Sequence, residues 1–370
     1  MTELSRRLRY LTAGCLVVLA ACSEPAPIWH EDEAPQRLSD WQLFTIRNNQ
    51  LTPVADTLVF RPASTLYSDY AQKLRSLWIP AGKQAEVVNN ELVYPVGTVL
   101  SKTFYYPSAG NGQLQASPDQ RHQTIDLDGN QVLETRLLVK QASGWQALPY
   151  VWNTGQTEAF LRVAGSSAAL SLDIAGSSED FRYFVPNQNQ CSGCHQTEYP
   201  DGNLHPLGAR LAQLAASAGG AAGHTGSQLA ALVERGWLTT VPAVSQATDW
   251  SDPSQPLDSR ALAYLNMNCG HCHNPAGPAD TSALILNGQH RSPTELGMCK
   301  PPVAAGGGAG ELRYGIVPGE PEQSIMLYRL RSTAADEMMP ELGRALAHRE
   351  GVRLIRDWIA QLPGGCRSGV

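Results

Sequence analysis

Cys191-Ser-Gly-Cys194-His195 and Cys269-Gly-His271-Cys272-His273 repeat one five-residue pattern, C-x-x-C-H. This is the pattern by which haem is attached covalently. Each thiol adds across a haem vinyl group to form a thioether, and the histidine that follows ligates iron from the proximal side. Random placement of 8 Cys and 9 His in 370 residues yields about 0.004 such patterns, so two are not a coincidence. Paired C-x-x-C units also hold zinc, which makes zinc the rival chemistry.

The beginning of the chain speaks against zinc. Arg6, Arg7 and Arg9 precede the short apolar run Leu11 to Ala20, which reads as an export signal and is too short to span a bilayer. The stretch Leu19-Ala20-Ala21-Cys22 resembles the bacterial lipobox, so residues 1–21 read as a lipoprotein signal peptide and Cys22 as the lipidated residue. Cys15 lacks the leucine three residues upstream and fits less well; a plain secretory signal is the simpler alternative. The two residues after Cys22 are Ser23 and Glu24, with no aspartate at either place, which points to the periplasmic leaflet of the outer membrane. C-type haem is attached outside the cytoplasm, in agreement with this address.

The net charge is −6. Losing residues 1–21 removes three arginines and Glu3, a net +2, and leaves −8. An acidic chain is a poor nucleic-acid binder and suits a basic electron carrier among periplasmic redox proteins. With Cys15 removed, Cys22 on lipid and four cysteines on haem, Cys299 and Cys366 remain. In an oxidising compartment they read as a disulfide, with two buried thiols as the alternative.

The pattern predicts an α+β multidomain chain. Residues 22–37, with Pro25, Pro27 and Pro35 among several charges, read as a tether. Residues 38–186 read as a sandwich-like antiparallel β-domain, from short β-branched and aromatic runs such as Thr103-Phe-Tyr-Tyr106 separated by turn clusters. Residues 187–257 read as a first haem-binding segment with short helices around Leu207 to Leu214 and Leu229 to Val233. Residues 258–365 read as an all-α, class I-like cytochrome c domain. Here a helix capped by Asp258 enters Cys269, and a second helix carries the stripe Val352, Ile355, Trp358 and Ile359.

Further residues carry a family resemblance. They include Leu66-Tyr-Ser-Asp69-Tyr-Ala, Tyr94-Pro-Val-Gly-Thr98, Glu134-Thr-Arg136, Tyr150-Val-Trp-Asn153, Pro318-Gly-Glu-Pro321 and Met338-Met-Pro340. On these the chain resembles a family of exported bacterial dihaem c-type cytochromes, from about Leu38 to Leu362. The resemblance implies two covalent haems c and electron transfer, and supplies no substrate. His195 and His273 are the proximal ligands by the motif. Met339, just before Pro340, is the expected partner of His273, with Met338 its competitor; a thioether opposite His raises the haem potential.

The sixth ligand of the first haem stays open among His205, His224, His122, His30, a methionine borrowed from the C-terminal part such as Met267, and none. His271 reads as a bystander and His348 as a surface residue. Trp145, Trp152 and Trp358 read as core. The leading function is electron transfer. The alternatives are a peroxidase-like oxidoreductase with an open first haem, and a ligand-binding β-domain with an attached cytochrome.

Overall fold

The fold comes from a computed structural model that describes residues 26–366 apart from 32, 110–111, 119–121, 197, 201, 218–225 and 304. The signal segment, Cys15, Cys22 and His224 lie outside the described residues. Among the described residues a 3-10 turn over Leu38–Trp41 and then fourteen strands precede the first α-helix. They are β1 (Phe44–Arg47), β2 (Gln50–Pro53), β3 (Leu58–Val59), β4 (Gln72–Trp78), β5 (Glu86–Val88), β6 (Glu91–Val93) and β7 (Val99–Pro107). Then come β8 (Leu114–Gln115), β9 (Ile125–Asp126), β10 (Asn130–Gln141), β11 (Gly144–Trp152), β12 (Ala159–Leu161), β13 (Ser166–Ile174) and β14 (Ser177–Val185).

The central sheet is antiparallel, in the order β12-β11-β10-β7-β4-β3. Alternation along β7 shows what covers each face. Val99 and Tyr105 pack in the cores shared with Leu38, Trp41 and Leu43 and with Leu51 and Ile125 of the β1-β2-β9 sheet. On the opposite face, Phe104 and Tyr106 pack against Leu172 and Tyr183 of the β14-β13-β8 sheet, and Leu100 against Leu211, Leu214, Leu229 and Leu232. Lys102 belongs to that second face, between Leu100 and Phe104.

Six α-helices are described: α1 (Gln188–His195), α2 (Leu211–Leu214), α3 (Gln228–Glu234), α4 (Leu257–Asn268), α5 (Ile325–Arg331) and α6 (Arg349–Gln361). No helix among the described residues is long and apolar enough to cross a membrane. Strand outweighs helix, 27% to 21%. This corrects the expected fold class: an all-α cytochrome c domain over 258–365 is not evident. Among the described residues there, only α4, α5 and α6 are α-helical. Between them run 3-10 turns, loops and the parallel bridges Met298↔Ile316 and Tyr314↔Ser324. Gly288, Gly297, Gly310 and Gly319 take positive φ, and Pro293 and Pro321 start 3-10 turns, so the connecting chain cannot propagate helix.

The α4–α6 pair is tightly built. Ile355, Trp358 and Ile359 are buried with Ala261, Tyr264 and Leu265, each large side chain contributing roughly 1.5–3 kcal/mol by burial. Gly351 permits the close approach, since a Cβ there would overlap the Tyr264 hydroxyl. Asp258 is not the cap; Pro256 holds that position, and the Asp258 carboxylate accepts the Trp358 Nε1–H at 2.8 Å.

The described part of the stretch read as a tether is strapped down instead. Pro35 O accepts from Tyr150 Oη, His30 O from Gln141 Nε2, and Gln36 O from Leu161 N. Its prolines suit a hydrogen-bonded strap as well as a free chain, and buried Pro27 with half-buried Trp29 supplies the anchorage. The three expected segments also share cores. Leu346 packs with Phe104, Tyr106 and Tyr183, and Asp69 accepts the amides of Ala345 and Leu346 at 2.8–2.9 Å.

Candidate cofactor site

The first motif is itself helical. Strand β14 ends at Val185, and Asn187 then starts α1 through a capping box: its Oδ1 accepts Gln190 N at 2.8 Å while its own N–H donates to Gln190 Oε1 at 3.0 Å. Cys191, Cys194 and His195 therefore lie on one short helix, the cysteines three apart and so on neighbouring faces. The second motif follows the end of α4 as a chain of turns, with Cys272 N and His273 N both bonded to Cys269 O.

Both proximal rings are fixed at Nδ1. His195 Nδ1 lies 2.8 Å from the His205 carbonyl, which can only accept, so Nδ1 carries the proton. His273 Nδ1 lies 3.0 Å from Ser282 Oγ; that hydroxyl donates to Ala279 O at 2.6 Å and therefore accepts from the ring. In each case Nε2 keeps its lone pair, the arrangement that supports a metal-ligating histidine. Burial, then Lys102, pulls His195 down to about 4; burial, then His271, pulls His273 down to about 4. Both rings are neutral at pH 7, as iron ligation requires.

The motifs touch. Cys272 Sγ donates to Gly193 O at 3.1 Å, and Tyr199 N bonds to Ala276 O. Ligand atoms of Cys194, His271 and Cys272 lie within 4.8 Å of one another. The neighbouring Cys272, together with His271, holds the Cys194 thiol well below its ordinary range, and Cys194, then burial, pushes Cys272 up. His271 is thus half-buried between Cys194 and Cys272 and not a bystander.

A cavity of about 520 Å³ opens beside α1, within the range of ligand and cofactor sites. Cys191, Cys194 and His195 border it, as do Met267, Met338 and Met339. His273 does not, so this cavity brings Met339 together with the first motif. Lys102 and Arg136 border it from the central sheet. Desolvation, then Arg136, pulls the Lys102 ammonium down to about 7.

Several histidines differ from their sequence reading. His205 serves through its backbone carbonyl. His122 meets Tyr105 edge-on, and His30 contacts Trp41 and Asp40 O. His348 is buried, not on the surface: it stacks on Tyr67 at 4.1 Å and its Nδ1 is 3.1 Å from Tyr264 Oη. Cys299 and Cys366 are disulfide-bonded.

The residues fit a covalent haem: each C-x-x-C-H motif presents a neutral imidazole with Nδ1 tied and Nε2 free, and a cofactor-sized cavity adjoins the first. Sequence reasoning missed Lys102 and gave Arg136 no role. The available signal was their place among the buried residues of strands rich in apolar side chains, Leu100 and Phe104 beside Lys102 and Leu137 beside Arg136. No protein-family model, curated protein or solved structure matches this chain. The likeness to dihaem cytochromes stands on the motifs quoted for it.

Proposed function

We propose that this chain is an exported dihaem c-type electron-transfer protein, lipid-anchored through Cys22 and facing periplasmic redox partners. The observation that carries the reading is the pair of C-x-x-C-H motifs, each with its histidine Nδ1 occupied and Nε2 available, in direct contact through Cys272 and Gly193. Haem supplies a one-electron Fe(III)/Fe(II) couple. Cys191 with Cys194, and Cys269 with Cys272, would hold the two groups by thioethers. His195 and His273 would ligate iron, and Met339 remains the expected thioether ligand for the second. Contact between the motifs sets the attachment points side by side, which favours passage of an electron from one group to the other. The net negative charge suits a basic carrier.

The deciding experiment is an alkaline pyridine haem spectrum with an iron and zinc count on the protein purified from the periplasm of a haem-attaching host. Two haems and two irons per chain are expected, both low-spin by EPR. One high-spin iron would favour the peroxidase-like alternative, with substrate entering the cavity beside His195. A second reading rests on the Cys194, His271 and Cys272 cluster, which offers three ligands to a soft metal. Zinc without haem would replace the proposal with that one, although a closed structural zinc site needs a fourth ligand.

A further inference from the structure

Among the described residues the cysteines outside a disulfide are Cys191, Cys194, Cys269 and Cys272, each half-buried. Each motif offers a pair of its own, yet the fold draws together a pair that crosses the motifs. Cys194 Sγ and Cys272 Sγ lie within 4.8 Å of one another. Cys272 Sγ donates to Gly193 O at 3.1 Å, which anchors its thiol to the residue just before Cys194. The bond from Tyr199 N to Ala276 O ties the chain after α1 to the turns after Cys272. Cys191 is engaged elsewhere: its Sγ donates to Asn187 O at 3.4 Å, one turn back along α1.

Two chemistries use neighbouring thiols. A closed structural metal site needs four ligands, and Cys194, His271 and Cys272 supply three. A disulfide needs the two thiols alone. Its sulfur–sulfur bond is about 2.05 Å long, so side-chain rotation and a small shift of the turns after Cys269 must bring the sulfurs together. A bond between the motifs closes a long loop that contains α2, α3 and α4, whereas a bond inside one C-x-x-C closes almost none. Restraining the longer loop takes more freedom from the unfolded chain, which favours the crossing bond over either internal one.

We propose that Cys194 and Cys272 are an oxidisable pair, which forms a disulfide between the two motifs in the chain before haem is attached. The oxidant is the disulfide of an exported dithiol carrier. The thiolate of one cysteine attacks it to give a mixed disulfide, and the thiolate of the other displaces the carrier. One S–S bond forms in the chain and one breaks in the carrier. Two electrons pass to the carrier, and the two thiol protons end on its sulfurs. Haem attachment consumes both thiols of a motif, so this single bond closes both motifs together and its reduction opens both. That consequence, unlike the bond itself, rests on the dihaem reading.

The test uses the full chain exported by a host that lacks haem attachment. Its thiols are capped with N-ethylmaleimide, with and without a metal chelator, and the chain is digested without reduction. Trypsin leaves Cys191 with Cys194 on one peptide and Cys269 with Cys272 on another. Mass spectrometry is expected to find these two peptides joined. The joined form should persist in the double variant Cys191→Ser, Cys269→Ser, which shows that serine at motif positions leaves the fold intact, and be lost from Cys194→Ser and from Cys272→Ser. Separate peptides, each oxidised within its own motif, would overturn the pair, as would four capped thiols. Bound zinc, with capping only after chelation, would overturn it in favour of the metal. In a haem-attaching host short of dithiol reductant, intact mass should show chains with two haems or none. A large share of chains with one haem would overturn the coupling of the motifs. No haem in any host, with the peptides joined, sinks the dihaem reading and leaves the pair standing.

Discussion

The two C-x-x-C-H motifs share a pattern and little else. The first lies on α1, launched from strand β14 by a capping box, and borders a cavity walled by Lys102 and Arg136 of the central sheet. The second hangs from α4 as a series of turns, braced by the α4–α6 crossing. Even the histidine supports differ: a backbone carbonyl from His205 for one, the Ser282 hydroxyl for the other. A short covalent pattern thus specifies what can be attached. The surrounding sheet, charges and loops specify what the attached group does.

The comparison breaks most sharply if one motif proves idle. Cys191→Ala with Cys194→Ala is expected to halve the haem count from two to one while His273 keeps its haem. The matching pair Cys269→Ala and Cys272→Ala should leave the haem at His195. Pyridine spectra and intact mass check both, and an unchanged count in either variant would mean that motif carries no haem.

The assignment of Met339 sharpens it next. Sequence reasoning gives Met339 to His273, whereas the cavity places it on the same wall as the first motif. Met339→Ala should abolish the far-red sulfur-to-iron band and lower one potential on the order of 0.1 V, within the roughly 0.8 V span commanded by axial ligands. Repeating it in the two single-motif proteins identifies the haem concerned. Loss of the band from the protein that keeps only Cys191, Cys194 and His195 would reassign Met339 to the first haem.

The smallest test separates the two supports. Gly351→Ala presses a methyl onto Tyr264 and should cost about 1–3 kcal/mol by overpacking. Asn187→Ala removes the α1 cap and should cost about 1 kcal/mol. Urea unfolding measures both losses, and the haem spectra should change at the second motif for Gly351→Ala and at the first for Asn187→Ala. Identical spectral changes would show the motifs to be supported as one unit.

Much of the chain was legible locally. Strand-forming runs such as Thr103 to Tyr106 and the stripe of Ile355, Trp358 and Ile359 lie in the expected kinds of element, because periodicity of apolar residues is a local signal. The all-α reading of 258–365 failed because two flanking amphipathic helices say nothing of the glycine- and proline-bearing chain between them. His348 was misread since it stands at the start of the closing helix, just before Arg349 and Glu350, while its partners Tyr67 and Tyr264 come from distant segments.

By itself the sequence determined the two C-x-x-C-H patterns on which the haem proposal rests, since two thiols and an imidazole within five residues need no tertiary help to be recognised. It also determined the net charge and the residues from which the strands grow. Only the tertiary structure decided that the two motifs touch, that His205 and Ser282 brace their rings, and that Arg75, Lys102 and Arg136 stand in one row. The physical reason is register: those three cations sit on separate strands, and a slip of one residue in any strand would turn its side chain to the opposite face.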